Sequence, residues 1–319
     1  MYNNNKIAIV IPSYKVKKHI LQVIETIDAA YDFIYVIDDC CPEKSGQFVI
    51  DNCFDKRVKV IYNDKNRGVG GAVMHGYAEA IKDGAEIIVK IDGDGQMNTK
   101  LIPLLLDPII IGNADYTKGN RFYDMRYITR MPRKRLFGNL ALSFMTKFST
   151  GYWNIFDPTN GFTAIHSKIA AKLPFDKISE RYFFETDMLF RLNTFRAKVM
   201  DLPMDAVYGN EESNLKIHKI FGEFLFKHNK NFCKRIIYNY FLRDFSIAAL
   251  ELFFGIILFL FGVIFGTYQW IHHIHLGVIT PTGTIMLAML PIIIGLQLLL
   301  SFLSYDFAST PIQTQHKFL

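Results

Sequence analysis

Two stretches toward the C-terminal end, Leu252 to Ile271 and Ile285 to Ser304, run without a single Asp, Glu, Lys or Arg. A hydrocarbon layer of ~30 Å takes about 20 residues of α-helix to cross, so both read as transmembrane helices. Whatever else the chain builds must work beside a bilayer. Tyr268 and Trp270 close the first stretch, where aromatic side chains collect at a membrane interface, and Pro291 is placed to kink the second. Half of the 319 residues are hydrophobic and the formal net charge is +6, which points to a membrane protein with a soluble head.

The basic residues set the expected orientation. Between residues 216 and 243, Lys216, Lys219, Lys227, Lys230, Lys234, Arg235 and Arg243 face the single acid Glu223, a balance of +6 that equals the charge of the whole chain. By the positive-inside rule that flank is cytoplasmic, whereas the linker from Trp270 to Gly283 has histidines but no Lys or Arg and faces away. Apolar residues at Ile217, Ile220, Phe221, Phe224 and Leu225, then Phe232, Ile236, Ile237, Tyr240 and Phe241, fall at helical spacing. The stretch reads as basic amphipathic helices on an anionic leaflet, or as a flank that only fixes topology. No nucleic-acid recognition motif accompanies the charge, and no nucleic acid partner is expected.

Met1 to Lys6 leads into a short apolar run rather than a secretory signal, so the head is expected in the cytoplasm. Cys40, Cys41, Cys53 and Cys233 make no CxxC pair or zinc spacing and read as reduced thiols. The expected organisation is a catalytic head at 1–215, juxtamembrane helices at 216–244, two spans with a short outer loop at 245–305, and a cytoplasmic tail at 306–319. Gly262 and Gly266 form a small-xxx-small pair on the first span, a hint of a homo-oligomer.

Within the head, apolar runs at Ile7 to Ile11, Phe33 to Ile37, Val58 to Tyr62 and Glu86 to Ile91 read as buried strands. Helical stretches such as Lys18 to Ala30 and Gly71 to Lys82 lie between them. That alternation predicts an α/β fold with a mostly parallel sheet covered on both faces, with ligands beyond the carboxyl ends of the strands. Polar residues gather at those ends: Pro12 to Tyr14, Asp38 and Asp39, Asn63 to Gly71, and Asp92 to Gln96.

The glycine-rich "NRGVGGA" has Val73 where a dinucleotide fingerprint wants its third glycine, and it follows the third strand, so a nicotinamide enzyme is disfavoured. Its backbone N–H groups could cradle a phosphate at the start of a helix, or the turn could simply pack helix on strand. In "KIDGDGQM", Asp92 and Asp94 stand one residue apart between glycines. Two carboxylates so placed suit Mg²⁺ or Mn²⁺ shared with a diphosphate.

The ordered set "IVIPSY", "VIDD", "NRGVGGA", "KIDGDGQM" and "KGNR" resembles glycosyltransferase family 2, over about residues 6 to 216. Within that family it is most similar to the polyprenyl-phosphate glycosyltransferases of the dolichyl-phosphate mannose synthase type, and its two spans suit the bacterial membrane-anchored branch. The resemblance implies a GT-A fold and metal-dependent, inverting transfer of a hexose from a nucleotide-diphosphate sugar to undecaprenyl or dolichyl phosphate at the inner membrane. It implies that Pro12, Tyr14 and Asp39 line the nucleoside pocket. Asp92 would lie by the ribose and diphosphate, and Asp94 with Gln96, beside Asp92, would hold the metal. Arg121, Arg135 and Asn139 would take the acceptor phosphate, and Asp157, Asn160 and Gly161 would shape the sugar pocket.

In the tail motif "YGNEESNLKI", Ser213 and Lys216 match a family Ser-Lys, with Asn214 intervening; "DDCCPE" departs from the family's Gly-Ser after the aspartates. Glu185 and Asp187 in "FFETDMLF" fall where family members acting on sugar hydroxyls place a base; here they are expected instead to orient the sugar or nearby arginines. Arg126, Arg130, Arg133, Lys134 and Arg135 would draw in an anionic headgroup.

The rivals are a transferase that extends a lipid-linked or cell-surface glycan at a sugar hydroxyl, and a non-catalytic nucleotide-sugar-binding scaffold. A processive synthase is disfavoured by the missing Q-x-x-R-W signature and by having only two spans.

Overall fold

The computed structural model describes residues 1–123, 133–204 and 217–319, and of 133–135 and 217–221 the backbone alone. The chain divides into two compact units, Met1–Phe232 together with Pro311–Leu319, and Cys233–Thr310.

The first unit is built on seven strands: β1 (Ile7–Ser13), β2 (Phe33–Asp38), β3 (Val58–Tyr62), β4 (Ile87–Lys90), β5 (Tyr116–Asn120), β6 (Thr163–His166) and β7 (Val199–Pro203). They lie in the order β3-β2-β1-β4-β6-β5-β7. β6 pairs antiparallel with β4 and β5, and the other pairings are parallel. The mostly parallel α/β sheet read from the alternation is therefore what forms. Its logic is visible in β1, where Ala8 and Val10 enter one core cluster and Ile7, Ile9 and Ile11 the other. A strand buried on both faces needs no polar alternation. Helices α1 (Ile20–Glu25), α2 (Ser45–Asn52) and α4 (Ile102–Ile110) contribute to the second cluster. The first is covered by α3 (Gly68–Lys82) and α7 (Phe184–Thr194). Between lie α5 (Arg133–Thr150) and α6 (Ser167–Ala170).

α1 is shorter than its pattern predicts. Thr26 Oγ1 donates back to the Val23 carbonyl at 2.7 Å, and the Asp28 carboxylate accepts from Ala30 N at 2.8 Å. These local bonds compete with helix continuation. The strand order reverses between β1 and β4, and such a reversal opens a crevice beyond the carboxyl ends of the two strands.

The basic stretch is helical as its periodicity predicts: α8 (Ile217–Ile236) is followed by a π-helical turn, Ile237–Arg243. The candidate spans are α9 (Ile247–Leu276) and α10 (Thr282–Ala308), both longer than the uncharged cores suggested, and an 18-residue window in each reaches a mean hydropathy of 2.7 and 2.4, respectively. α10 runs on through Pro291. A Cβ at Gly262 would meet the Ala288 carbonyl at 2.7 Å, and one at Gly295 the Phe259 nitrogen at 2.6 Å. Gly266 likewise faces Ala288. The small residues of the first span thus pack against the second span of the same chain, and the pairing hint read from Gly262 and Gly266 is taken up within the hairpin.

Residues beyond α10 return to the first unit. Buried Asp115 accepts from Lys198 N, Gln315 N and His316 N at 2.8–2.9 Å and from His316 Nδ1 at 2.6 Å. His316 stacks on His166 with centroids 4.3 Å apart.

Candidate active site

A cleft of about 290 Å³ opens at the strand-order reversal. Its wall takes Pro12, Ser13 and Tyr14 from the end of β1, Asp39 after β2, Asn66, Gly68, Val69 and Ala72 from the β3–α3 turn and the start of α3, and Asp92, Gly93 and Asp94 after β4. The four loops singled out in the sequence therefore converge on one cavity. Arg181 and Tyr182, which lead into α7, complete it. No sequence motif marks those two.

Each aspartate of the β2 loop has a defined task. Asp38 accepts from Cys41 N at 2.7 Å and Gly46 N at 2.6 Å, which fixes the turn into α2 despite the departure at "CCPE". Asp39, also buried, accepts from Asn63 Nδ2 and Arg67 N at 2.8 Å and from Gly68 N at 2.7 Å. A carboxylate offers about four acceptor sites, so Asp39 keeps capacity for one further donor.

The glycine-rich turn corrects one expectation. Gly70 N and Gly71 N both donate to the Glu180 carbonyl, at 2.8 and 3.2 Å, and a side chain at Gly70 would collide with Ser179 O. Those N–H groups are engaged in holding the segment before α7 and do not cradle a phosphate. Gly68, at φ +77°, is the residue whose backbone requires glycine.

Asp92 and Asp94 part company. Asp92 Oδ1 lies 2.8 Å from the ammonium of Lys90, a side chain only 2% exposed, and Lys90 also reaches Glu185 Oε1 at 3.8 Å. Burial pulls the Lys90 pKa down, but Asp92 and Glu185 outweigh it and hold it above the ordinary lysine value. Burial pushes Glu185 up against the pull of Lys90. Asp94, half-buried at the cleft wall, accepts from Gln96 N at 3.0 Å. Gln96 itself is not on the wall.

Gly161 closes over the Lys90 pair, since a Cβ there would collide with the ammonium and come within 3.0 Å of Asp92 Oδ2. Asn160 supports that turn, accepting from Phe162 N at 3.0 Å and contacting Met204 Sδ at 2.9 Å.

Arg121 and Asp157 form one bidentate pair, Nε to Oδ2 at 2.8 Å and Nη2 to Oδ1 at 2.9 Å, with Thr159 Oγ1 3.3 Å from Nη2. Burial would raise the Asp157 pKa, yet the Arg121 guanidinium holds it below the usual carboxylate range. The ammonium of Lys118, buried on β5, donates to the Asp157 carbonyl. Asp187 accepts from Ser179 N at 2.9 Å and Asn231 Nδ2 at 3.0 Å, one on each oxygen, so it ties α7 to its surroundings.

Asn139 sits on α5, one turn beyond Arg135, whose side chain lies outside the described residues, as do those of Arg133 and Lys134. Arg126, Arg130, Ser213 and Lys216 also fall outside.

Two observations test whether a metal–nucleotide suits the cleft. The hydroxyl of Ser13, buried at the cleft wall, has no hydrogen-bond partner among the described residues, which fits a polar ligand. Among the described residues no three His, Cys, Asp or Glu cluster as a self-sufficient metal cage. One or two oxygen ligands completed by substrate phosphates is the arrangement Mg²⁺ and Mn²⁺ commonly take, and the Asp94 carboxylate at the cleft wall fits it.

A strand order reversing at a polar cleft, with one antiparallel strand in an otherwise parallel sheet, defines a GT-A-like nucleotide-sugar transferase fold. Solved structures agree: glucosyl-3-phosphoglycerate synthase from Mycobacterium tuberculosis, with Mn²⁺, UDP-glucose and phosphoglyceric acid bound, superposes with a TM-score of 0.55 at 16% identity, covering 73% of this chain and 80% of that one.

Residues 8–173 match glycosyl transferase family 2, and the chain belongs to that family; it is a glycosyltransferase. Among its relatives, the UDP-N-acetylglucosamine–dolichyl-phosphate N-acetylglucosaminyltransferase of Methanococcus voltae is 28% identical over 63% of this chain and 86% of its own length. The undecaprenyl-phosphate mannosyltransferase of Micrococcus luteus is 26% identical over 54% and 71%.

Proposed function

We propose that the protein transfers a hexose, with inversion, from a nucleotide-diphosphate sugar to a polyprenyl phosphate, undecaprenyl or dolichyl, at the cytoplasmic face of a membrane. The observation that carries the reading is the union, in one family 2 chain, of this cleft with two helices long and apolar enough to cross a bilayer. The named relatives act on lipid phosphates. The tail's bonds to Asp115 support a hairpin whose two ends lie on the head's side of the membrane. By the positive-inside rule, the basic residues of 216–243 support a cytoplasmic placement of that side.

In this reading Pro12, Tyr14 and Asp39 hold the nucleoside, with the remaining acceptor site of Asp39 turned to the base. Asp94 and Gln96 would hold Mg²⁺ or Mn²⁺, which would supply charge neutralisation for the diphosphate leaving group. Asp92, Asn160, Gly161 and Glu185 bound the sugar. Arg135 and Asn139, together with Arg121, orient the acceptor phosphate, while Ser213 and Lys216 serve the donor diphosphate. One acceptor oxygen bonds to the anomeric carbon as the bond from that carbon to the diphosphate breaks.

The acceptor needs no general base, because a phosphate monoester with its second pKa near 6 is largely ionised at neutral pH. That agrees with Asp187 being committed to Ser179 and Asn231, and Glu185 to Lys90.

The test is incubation of the full chain in vesicles with a panel of nucleotide sugars, polyprenyl phosphate and Mn²⁺ or Mg²⁺, followed by mass measurement of the lipid. A glycosyl phospholipid heavier by one hexose is expected. Transfer only to a sugar hydroxyl would favour the glycan-extending reading. Nucleotide binding without turnover would favour the scaffold.

A further inference from the structure

Lys90 opens the motif "KIDGDGQM", yet the sequence alone assigns it no role. It ends β4 after Ile87, Ile88 and Val89, a strand whose other residues are all apolar and buried. A lysine is almost never fully buried unless paired, and an apolar residue of similar volume would often serve stability as well or better.

Its ammonium sits at the meeting point of three elements: Asp92 at 2.8 Å from the β4 loop, Glu185 at 3.8 Å from the first turn of α7, and Gly161, whose lack of a side chain makes room for it. Without Lys90, the carboxylates of Asp92, Asp94 and Glu185 would all confront an anionic diphosphate unbalanced. With it, Asp92 is held by a cation on one oxygen, and Asp94 stays at the cleft wall.

Building on the donor reading above, we propose that Lys90 is a positioning residue for the donor: it locks Asp92 toward Glu185 and Gly161, so that Asp92 meets the donor's hydroxyl groups and is kept off the metal at Asp94. A lysine suits this task because its ammonium is a compact point charge with three donors, able to serve two carboxylates in the small space that Gly161 leaves.

The test uses the full chain in vesicles and the variants Lys90→Met, Lys90→Arg and Lys90→Met/Glu185→Gln. In Lys90→Met the donor KM should rise at least tenfold while the acceptor KM stays within twofold. Released from its cation, Asp92 should become a second metal ligand. Mn²⁺ titrated into nucleotide-free protein and followed by electron paramagnetic resonance should then bind several-fold more tightly than in wild type. Loss of packing alone would not produce that gain. Lys90→Arg should not restore the donor KM.

If Lys90→Met does not fold, the double variant, which removes one charge of each sign, carries the test. It should keep the donor defect, because Asp92 is still unheld. A double variant with wild-type donor KM would mean that Lys90 serves only to neutralise Glu185, and would overturn the proposal. So would a folded Lys90→Met with wild-type donor KM and Mn²⁺ affinity, while transfer by the wild type would leave the function itself standing. Failure of the wild type to bind any nucleotide sugar takes both down.

Discussion

Lys90 in the head and Arg235 at the end of α8 are buried to the same degree, each side chain 2% exposed, and each faces an aspartate. Their surroundings differ. Arg235 meets Asp306 through two bonds, Nη1 at 2.5 Å and Nη2 at 3.0 Å, and the Tyr240 hydroxyl adds a third donor to the same carboxylate at 2.5 Å. That is a closed, planar match between fork and carboxylate. Lys90 is stretched unequally between two acids, immediately behind a cleft that Asp92 helps to line. The closed pair holds the end of the second span to the turn below the first. The open one stands where a ligand's charge would be felt. Geometry around a buried charge, more than burial itself, separates a structural ion pair from one kept for a site.

The widest test of that contrast is to remove a carboxylate from each region. Asp94→Ala should cut transfer by about a thousandfold or more, ~4 kcal/mol of transition-state stabilisation, with an unchanged melting midpoint. Turnover persisting in the folded variant would remove the metal site as assigned. Asp306→Ala should do the opposite, lowering stability by about 3 kcal/mol because Arg235 is left buried without its partner, while donor KM holds. Arg235→Met/Asp306→Leu should regain most of that loss, since apolar replacement of a whole buried pair is tolerated. Thermal unfolding in detergent reads both.

The same contrast explains what the sequence disclosed. β1 to β4 and the two spans were legible because burial on both faces, or in lipid, leaves long apolar runs. β5, β6 and β7 were not, because their register puts Lys118, Thr163 and Asp201 opposite one another across the sheet, and "YTKGN", "TAIH" and "VMDLP" do not read as core strands. The convergence of four polar loops was foreseeable from strand ends. The partners were not: that Gly70 and Gly71 serve Glu180, or that Glu185 joins Lys90, depends on α7 and the segment before it packing against loops distant in sequence. Lys90 carried its own signal all the same, a lone charge in an apolar strand just ahead of the D-x-D pair.

A third buried cation-forming group sharpens the structural side. His228 on α8 shares a 2.8 Å hydrogen bond with Ser149 on α5, packs edge-on against Phe183 and lies tilted to Phe224. Burial lowers its pKa from 6.5 to about 4. With the folded value depressed, the unfolded chain binds the extra proton first, so this stability is complete above about pH 6.5 and is lost as pH falls toward 4. Between pH 7 and pH 5 the head should lose roughly 2 kcal/mol through this group. His228→Phe should remove about half of the combined histidine slope in unfolding titrations, the rest belonging to His166, which burial and His316 also lower to about 4. An unchanged slope would mean that His228 is charged in the fold.

The smallest expected effect separates the two arginines assigned to the acceptor. Arg121 belongs with Arg235 in kind: its fork is engaged by Asp157, a carboxylate 1% exposed, and by Thr159. Arg121→Ala should therefore strand a buried carboxylate and impair stability, donor KM and acceptor KM together. Arg135 lies on α5 one turn before Asn139, and its proposed partner is the acceptor phosphate itself. Removing one charge-assisted contact to that phosphate costs about 1.5 kcal/mol, so Arg135→Ala should raise the acceptor KM about tenfold and leave donor KM and melting midpoint in place. Equal loss for donor and acceptor in Arg135→Ala would move the phosphate pocket away from α5. An Arg121→Ala variant that stays stable and loses only the acceptor would show that a closed buried pair can also be a binding group, and the geometric rule drawn from Lys90 and Arg235 would fail at this site.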